Sequence, residues 1–211
     1  MGSDKRVSDA VIKRLPRYYR YLSDLLKLGM TRISSRELSS RMGITASQIR
    51  QDLNCFGGFG QQGYGYNVEH LYGEIGKILG VDKKFNVIII GAGNMGQALA
   101  NYSNFEKRGF NLTGIFDVNP KLKGTAIRGI EVRSIDCIDT FIKTQKVDIA
   151  MLCVPYEDTP NIADRIARLG VKGLWNFSPM DLELPYDVII ENVHLSDSLM
   201  VLGYKLTEKY S

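Results

Sequence analysis

The stretch VIIIGAGNMG, residues 87–96, is an apolar run that ends in the spacing Gly91-x-Gly93-x-x-Gly96. Four β-branched residues in a row read as a buried parallel strand, and Asn94 to Lys107 then reads as a helix. A second strand, Phe110 to Phe116, ends in Asp117, 21 residues past Gly96. This is the spacing of a dinucleotide-binding βαβ unit. Gly91 allows the tight turn out of the strand, Gly93 leaves room for a pyrophosphate, and Gly96 lets the helix lie close to the sheet. The amides of Asn94, Met95 and Gly96 then face the phosphates with the positive end of the helix dipole. Asp117 would accept hydrogen bonds from the adenosine ribose hydroxyls. Val118, Asn119 and Pro120 follow it with no Arg to meet a 2′-phosphate, which favours NAD(H), as NADH and NAD+, over NADP(H). Ala92 and Val118 complete the first candidate set. The competing reading is a Rossmann-like fold with an empty site.

The α/β alternation continues beyond Asp117. Strands are expected at Ile130–Val132, Val147–Val154, Val171–Trp175 and Val188–Asn192, with helices at Ile135–Lys143 and Thr159–Leu169. Ligands of open α/β sheets bind outside the carboxyl ends of the strands. Cys153, Val154 and Pro155 at one such end are therefore candidate apolar contacts to the nicotinamide half, and Asn176 and Phe177 lie at the next. A last amphipathic helix carries Leu195, Leu199, Leu202 and Leu206, with nothing left in the chain to cover it. A second copy is the favoured cover, which makes the chain a homodimer.

Upstream, Ile12 to Lys27 places Leu15, Tyr18, Leu22 and Leu25 on one helical face, and Gly29 ends that helix. Ser34-x-x-Glu37 and Thr45-x-x-Gln48 are capping-box patterns that open two short helices on either side of Gly43. They form a helix-turn-helix candidate. Opposite the inward Ile49 and Leu53, the second of them offers Ser47, Arg50, Gln51 and Asn54. Arg50 can give two hydrogen bonds to guanine, and Gln51 or Asn54 can meet adenine edges or phosphates. Residues 56–66 then alternate glycine with aromatic and polar residues. They read as the hairpin wing of a winged helix, with Gly58, Gln61 and Gln62 placed to meet phosphates and base edges. A generic three-helix domain, or a linker in place of the wing, is the alternative. Val68 to Leu79 is a connecting helix.

The fold class is thus α/β: a winged helix-turn-helix domain at 1–80, a Rossmann-like parallel-sheet domain at 81–193, and a C-terminal dimerisation helix at 194–211. The 211 residues carry a formal net charge of +4. The excess sits in residues 1–80, with 12 Lys/Arg against 7 Asp/Glu, whereas the remainder has 15 against 16. A basic front end suits a polyanion. No apolar run reaches the ~18–20 residues that span a bilayer, and Cys55, Cys137 and Cys153 show no CxxC or metal spacing. A reduced, cytoplasmic protein without a metal site is expected. No catalytic residue is assigned. A small NAD-dependent dehydrogenase is the rival reading, weakened because His194 is the one His after the winged helix. A nucleotide-regulated scaffold without DNA contact is a third.

Residues 14–20 (RLPRYYR), 47–60 (SQIRQDLNCFGGFG) and 91–96 (GAGNMG) together resemble the Rex family of redox-sensing transcriptional repressors of Gram-positive bacteria. The resemblance spans nearly the whole chain. It implies a homodimer that holds an inverted-repeat operator when NADH is scarce and leaves it when NADH accumulates, with fermentation and respiration genes as targets. It also implies that the C-terminal helix is exchanged between subunits. Arg17 and Tyr102 match positions of that family's redox-dependent network. Its third member is usually an Asp, where this chain has His194; a neutral His194 could still hydrogen-bond Tyr102. Leu195 matches the residue that enters the partner's nicotinamide pocket.

Overall fold

Val11, Leu15, Tyr18, Leu22 and Leu25 recur at helical spacing and are buried along α1 (Asp9–Lys27). This computed structural model describes residues 7–61 and 64–210, in two compact units, Met1–Asp82 and Lys83–Ser211. In the first unit α1 is followed by β1 (Arg32–Ile33), α2 (Ser35–Met42), α3 (Ala46–Asn54), β2 (Gly60–Gln61), β3 (Gly65–Asn67) and α4 (Val68–Leu79). The capping box at Ser34 and Glu37 forms in both directions, and Gly43 takes the left-handed conformation that ends α2. Thr45 accepts from the amide of Gln48 and opens α3. The strands pair antiparallel in the order β1-β3-β2. The hairpin expected from the glycine-aromatic stretch is therefore present, and β1 extends it. Three of its aromatics pack on the helical core, Tyr66 buried and Phe56 and Phe59 partly buried, while Tyr64 is exposed. Tyr19 and Tyr72 stack at 4.3 Å between α1 and α4.

The second unit runs β4 (Phe85–Ile90), α5 (Asn94–Asn101), β5 (Phe110–Asp117), β6 (Ala126–Ile127), β7 (Ile130–Ser134), α6 (Ile138–Thr144), β8 (Ile149–Leu152), α7 (Thr159–Arg168), β9 (Gly173–Asn176), β10 (Ile189–Asn192) and α8 (Leu195–Tyr210). The sheet order is β10-β9-β8-β4-β5-β7-β6, parallel throughout except for the β6–β7 pair. Alternate strand residues face opposite layers. Ile88, Ile90, Ala150 and Leu152 pack with Ile138, Phe141, Ala163 and Ile166 of α6 and α7. Val87, Ile89 and Met151 pack with Ala100 and Leu99 of α5. β4 lies between β5, reached through α5, and β8, so the strand order reverses there. A crevice opens outside the carboxyl ends at such a point.

Among the described residues, no α-helix lines the face carrying α5 where it runs over β8, β9 and β10. That face holds an apolar depression of about 340 Å³ lined by Val87, Phe105, Phe110, Met151, Trp175 and Ile189. No side chain of α8 is buried, and Leu195, Leu199, Leu202 and Leu206 are all at least half exposed. α5 stops at Asn101 rather than Lys107, because Tyr102 leaves the helical conformation (ψ 86°) and a 3-10 turn follows at Glu106–Arg108. Among the described residues, no helix is long and apolar enough to cross a membrane.

Candidate nucleotide site and nucleic-acid interface

Gly91 leaves β4 at φ +97°, and a Cβ there would lie 2.3 Å from the carbonyl oxygen of Cys153. Glycine is required both for the dihedral and for the approach to the end of β8. A Cβ on Gly96 would fall 1.9 Å from the Gly91 carbonyl oxygen, whereas one on Gly93 would meet nothing within 4 Å. The first and third glycines thus close the turn upon itself, and the second faces open space. Gly93 caps α5 without a side-chain acceptor, so the first amides of α5 face out of the helix end with no partner among the described residues, as at an anion site.

Asp117, at the end of β5, accepts from the Ala92 amide at 2.6 Å and from the Asn119 amide at 2.7 Å. Each carboxylate oxygen retains a second lone pair for a hydroxyl donor. A cavity of about 470 Å³ lies against these groups, and Gly91, Gly93, Asp117, Val118, Cys153, Val154 and Pro155 line it. Its volume is within the range of small-molecule sites. Burial pushes the Cys153 thiol up to about 12, so it stays a neutral, apolar wall. Leu122, Ile135, Asp158 and Ile162 also line the cavity. They escaped the sequence reading because loops and helix starts, not strand ends, carry them in. The glycine cradle, the outward amides and Asp117 fit a dinucleotide.

Asn176 and Phe177 are not brought to that cavity. Asn176 is fully buried, and its amide donates to Met180 O and to Asn192 Oδ1, both at 2.8 Å, while its oxygen accepts from the Ser178 amide. It ties β9 to the loop and to β10. Phe177 packs edge-on against Trp175 at 4.6 Å.

On the first unit, Ser47, Arg50, Gln51 and Asn54 all project from the exposed face of α3, and Gly58 is exposed at the start of the wing. Arg50 donates to Ser35 Oγ at 3.0 Å, linking α3 to the first turn of α2. Arg32 donates to the Tyr64 carbonyl, with its guanidinium 5.8 Å from that ring, and so braces the wing. The backbone of Gln61 pairs with Gly65; Gln62 lies outside the described residues.

Of the switch candidates, Arg17 donates to the Met42 carbonyl at the end of α2. Tyr102 is exposed and meets Phe105 edge-on at 4.8 Å. His194 Nε2 lies 3.0 Å from Asp181 Oδ1 rather than on Tyr102, and this hydrogen bond raises its pKa. The pair therefore contributes in the acid range and weakens as pH rises through a midpoint above the ordinary ~6.5. Asp181→Asn is expected to lower the His194 midpoint in an NMR titration; an unmoved midpoint would show that the contact does not persist in solution. Leu195 opens α8, more than half exposed. Among the described residues, no group of three or more His, Cys, Asp or Glu side chains could hold a metal ion.

A family model described as "Putative DNA-binding protein N-terminus" matches residues 6–54, and one described as "CoA binding domain" matches residues 82–180. Over 209 residues the chain is 62% identical to the redox-sensing transcriptional repressor Rex of Thermoanaerobacter pseudethanolicus, covering 99% of this chain and 93% of that one. The chain belongs to the Rex family. A crystal structure of RSP, a Rex-family repressor, in complex with NAD+ and operator DNA superposes with a TM-score of 0.92 at 62% identity, covering 98% of this chain and 95% of that one. RSP in complex with NADH superposes at 0.91 with 59% identity, over 98% and 97% of the two chains. The winged-helix plus Rossmann-like architecture is thus that of Rex proteins.

Proposed function

We propose that the chain is a transcriptional repressor that senses the NADH/NAD+ ratio and acts on double-stranded operator DNA as a homodimer. The observation that carries this reading is the pairing, in one chain, of an Asp117-marked dinucleotide crevice with a helix-turn-helix whose polar face is exposed. RSP, at about 60% identity, has been crystallised with both forms of the coenzyme and with operator DNA, which supports the same ligands here.

Gly91 to Gly96 and Asp117 would hold the nucleotide, and Cys153, Val154 and Pro155 would offer the apolar wall for the nicotinamide. When bound, the coenzyme supplies a ring that is neutral if reduced and charged if oxidised. Desolvating the charged ring against an apolar wall costs more, so two states of the dimer that differ in how far they enclose the ring differ in preference. Linkage transmits that difference to DNA affinity by the same factor; ~1–3 kcal/mol corresponds to ~5–150-fold. Arg17, Tyr102, His194 and Leu195 are assigned to the switch. In an electrophoretic shift titration, NADH is expected to weaken operator binding while NAD+ leaves it unchanged or strengthens it. An affinity indifferent to NADH would overturn the reading.

The chain is read as a sensor rather than a catalyst, working in the cytoplasm where its promoters are. Hydride transfer to a carbonyl needs a positioned proton donor. Among the described residues lining the cavity, the titratable ones are Asp117, Cys153 and Asp158, and Cys153 holds its proton. NADH consumption with a panel of carbonyl compounds would favour a dehydrogenase instead.

A further inference from the structure

The outer face of α3 meets DNA in the proposed function, but its inner face carries a charge that this role does not use. Asp52 lies between Ile49 and Leu53 on that face and is fully buried. Arg14 of α1 grips it as a fork, Nε to Oδ2 at 2.6 Å and Nη2 to Oδ1 at 2.7 Å. Tyr18, also of α1 and fully buried, donates to Oδ2 at 2.8 Å, and Gln48, one turn earlier on α3, donates to Oδ1 at 2.8 Å. Two donors on each oxygen fill the carboxylate's capacity. Burial alone would raise its pKa, but donors from Arg14, Gln48 and Tyr18 outweigh it and hold Asp52 ionised below the usual carboxylate range.

A buried ion pair is a poor device for stability, because well-packed apolar residues of the same volume hold two helices as firmly. What a planar fork supplies is direction. Hydrophobic contacts such as those of Ile49 and Leu53 tolerate a roll of α3 about its axis, whereas a bidentate pair does not. A roll of about 20° moves a group on the ~5–6 Å outer radius of a helix by about 2 Å. That exceeds the tolerance of a hydrogen bond to a base edge. Arg50 and Gln51 precede Asp52 on the same nine-residue helix, so their azimuth is set wherever Asp52 is held.

We propose that Asp52 is a positioning residue for base reading: the Arg14–Asp52 fork, buttressed by Tyr18 and Gln48, fixes the roll of α3 and thereby aims Arg50 and Gln51. This rests on the repressor reading above. Asp52 touches no DNA in this assignment, since its oxygens are already occupied and buried.

The test compares full-length protein on a duplex selected by the wild type from a random pool with a scrambled duplex of equal length. Asp52→Asn places a neutral amide against the Arg14 fork. It is expected to lose ~10-fold or more on the selected duplex and under ~3-fold on the scrambled one, with NADH affinity in the other unit unchanged. Arg14→Lys keeps the charge without the fork and is expected to behave alike. If Asp52→Asn fails to fold, Tyr18→Phe removes one donor and keeps the ring. Its loss on the selected duplex is expected to vanish in an Arg50→Ala background, because the two act through one contact; a merely structural role would give multiplying losses. Retained discrimination in Asp52→Asn or Arg14→Lys, or multiplying losses in the cycle, overturns the proposal alone. A wild type that selects no duplex overturns the repressor reading with it.

Discussion

Gly96→Ala is expected to abolish NADH binding and, with it, any effect of NADH on the protein's hold on DNA. The added methyl would sit 1.9 Å from the Gly91 carbonyl oxygen, 3.0 Å from its carbon and 3.2 Å from Ile89 Cγ2. The first two neighbours are backbone, so no rotamer change relieves the overlap. Either α5 moves off β4 or the turn reopens, and in both cases the amides of Asn94 and Met95 lose their alignment with the phosphate position. A cradle displaced by an ångström or more forfeits several charge-assisted hydrogen bonds, and a loss of ~3 kcal/mol is already ~100-fold in affinity. Gly93→Ala is the informative contrast. Its methyl meets nothing in the protein within 4 Å, so the unit should keep its stability while NADH affinity falls, because the methyl occupies space left for the ligand. Fluorescence titration of NADH with thermal unfolding of each variant checks both. Gly96→Ala binding within threefold of wild type would show that the turn is not the phosphate cradle.

The contrast between those two glycines also marks what a sequence can disclose. The glycine pattern was legible because Gly91 and Gly96 answer steric demands of the turn that only glycine meets, whereas Gly93 leaves open the space kept for the ligand, and Asp117 was legible because a fixed βαβ length delivers it to the same crevice. The helix-turn-helix was legible through its caps, which are local chemistry: Ser34 with Glu37, Thr45 with Gln48, Gly43 after the last turn. Two-residue strands such as β1 and β6 show no period to read. α5 seemed to run on to Lys107, since nothing in the composition forbids it; beyond its end at Tyr102 the chain turns so that Phe105 packs edge-on against Trp175 of β9, a contact 70 residues away that no local pattern reveals. Asn176 looked like a ligand contact from its place at a strand end. A polar residue there serves equally well as a buried tie, and the choice depends on Asn192, 16 residues away, which no local pattern reveals. Asp52 was overlooked for the converse reason. An acid at i+3 from Ile49 and beside Leu53 lies on the inner face and demands a cation, but the Arg14 that supplies it is 38 residues upstream.

Charging the stripe of α8 is expected to separate the dimer and cost more DNA affinity than any single base contact. Leu195, Leu199, Leu202 and Leu206 share one face of a 16-residue helix, and their exposures are 57%, 68%, 51% and 50%. Met200, Val201, Tyr204 and Tyr210 add further exposed apolar surface on the same helix. A helix of that length spans about 24 Å, and each large apolar side chain taken from water contributes about 1.5–3 kcal/mol. Contiguous exposed apolar surface of this kind marks an interface. The second unit offers a matching deficit, the apolar depression over β8, β9 and β10 with Met151, Trp175 and Ile189 in its lining. A second copy of α8 supplies a cover of the right chemistry for it. Leu199→Glu with Leu206→Glu places two carboxylates one heptad apart on the stripe and leaves the residues of the nucleotide cradle and of α3 unchanged. Sedimentation should then report a monomer at concentrations where the wild type is dimeric. Operator affinity should fall by ~100-fold or more, because a lone helix-turn-helix grips one half-site where two grip a palindrome. NADH should still bind, since Gly91 to Gly96 and Asp117 lie within one chain. If the double variant stays dimeric, the subunits meet elsewhere and the stripe serves another partner. If it becomes monomeric yet binds the operator undiminished, the two half-sites are not read together, and a dimer reorienting on DNA cannot be how the redox state is reported.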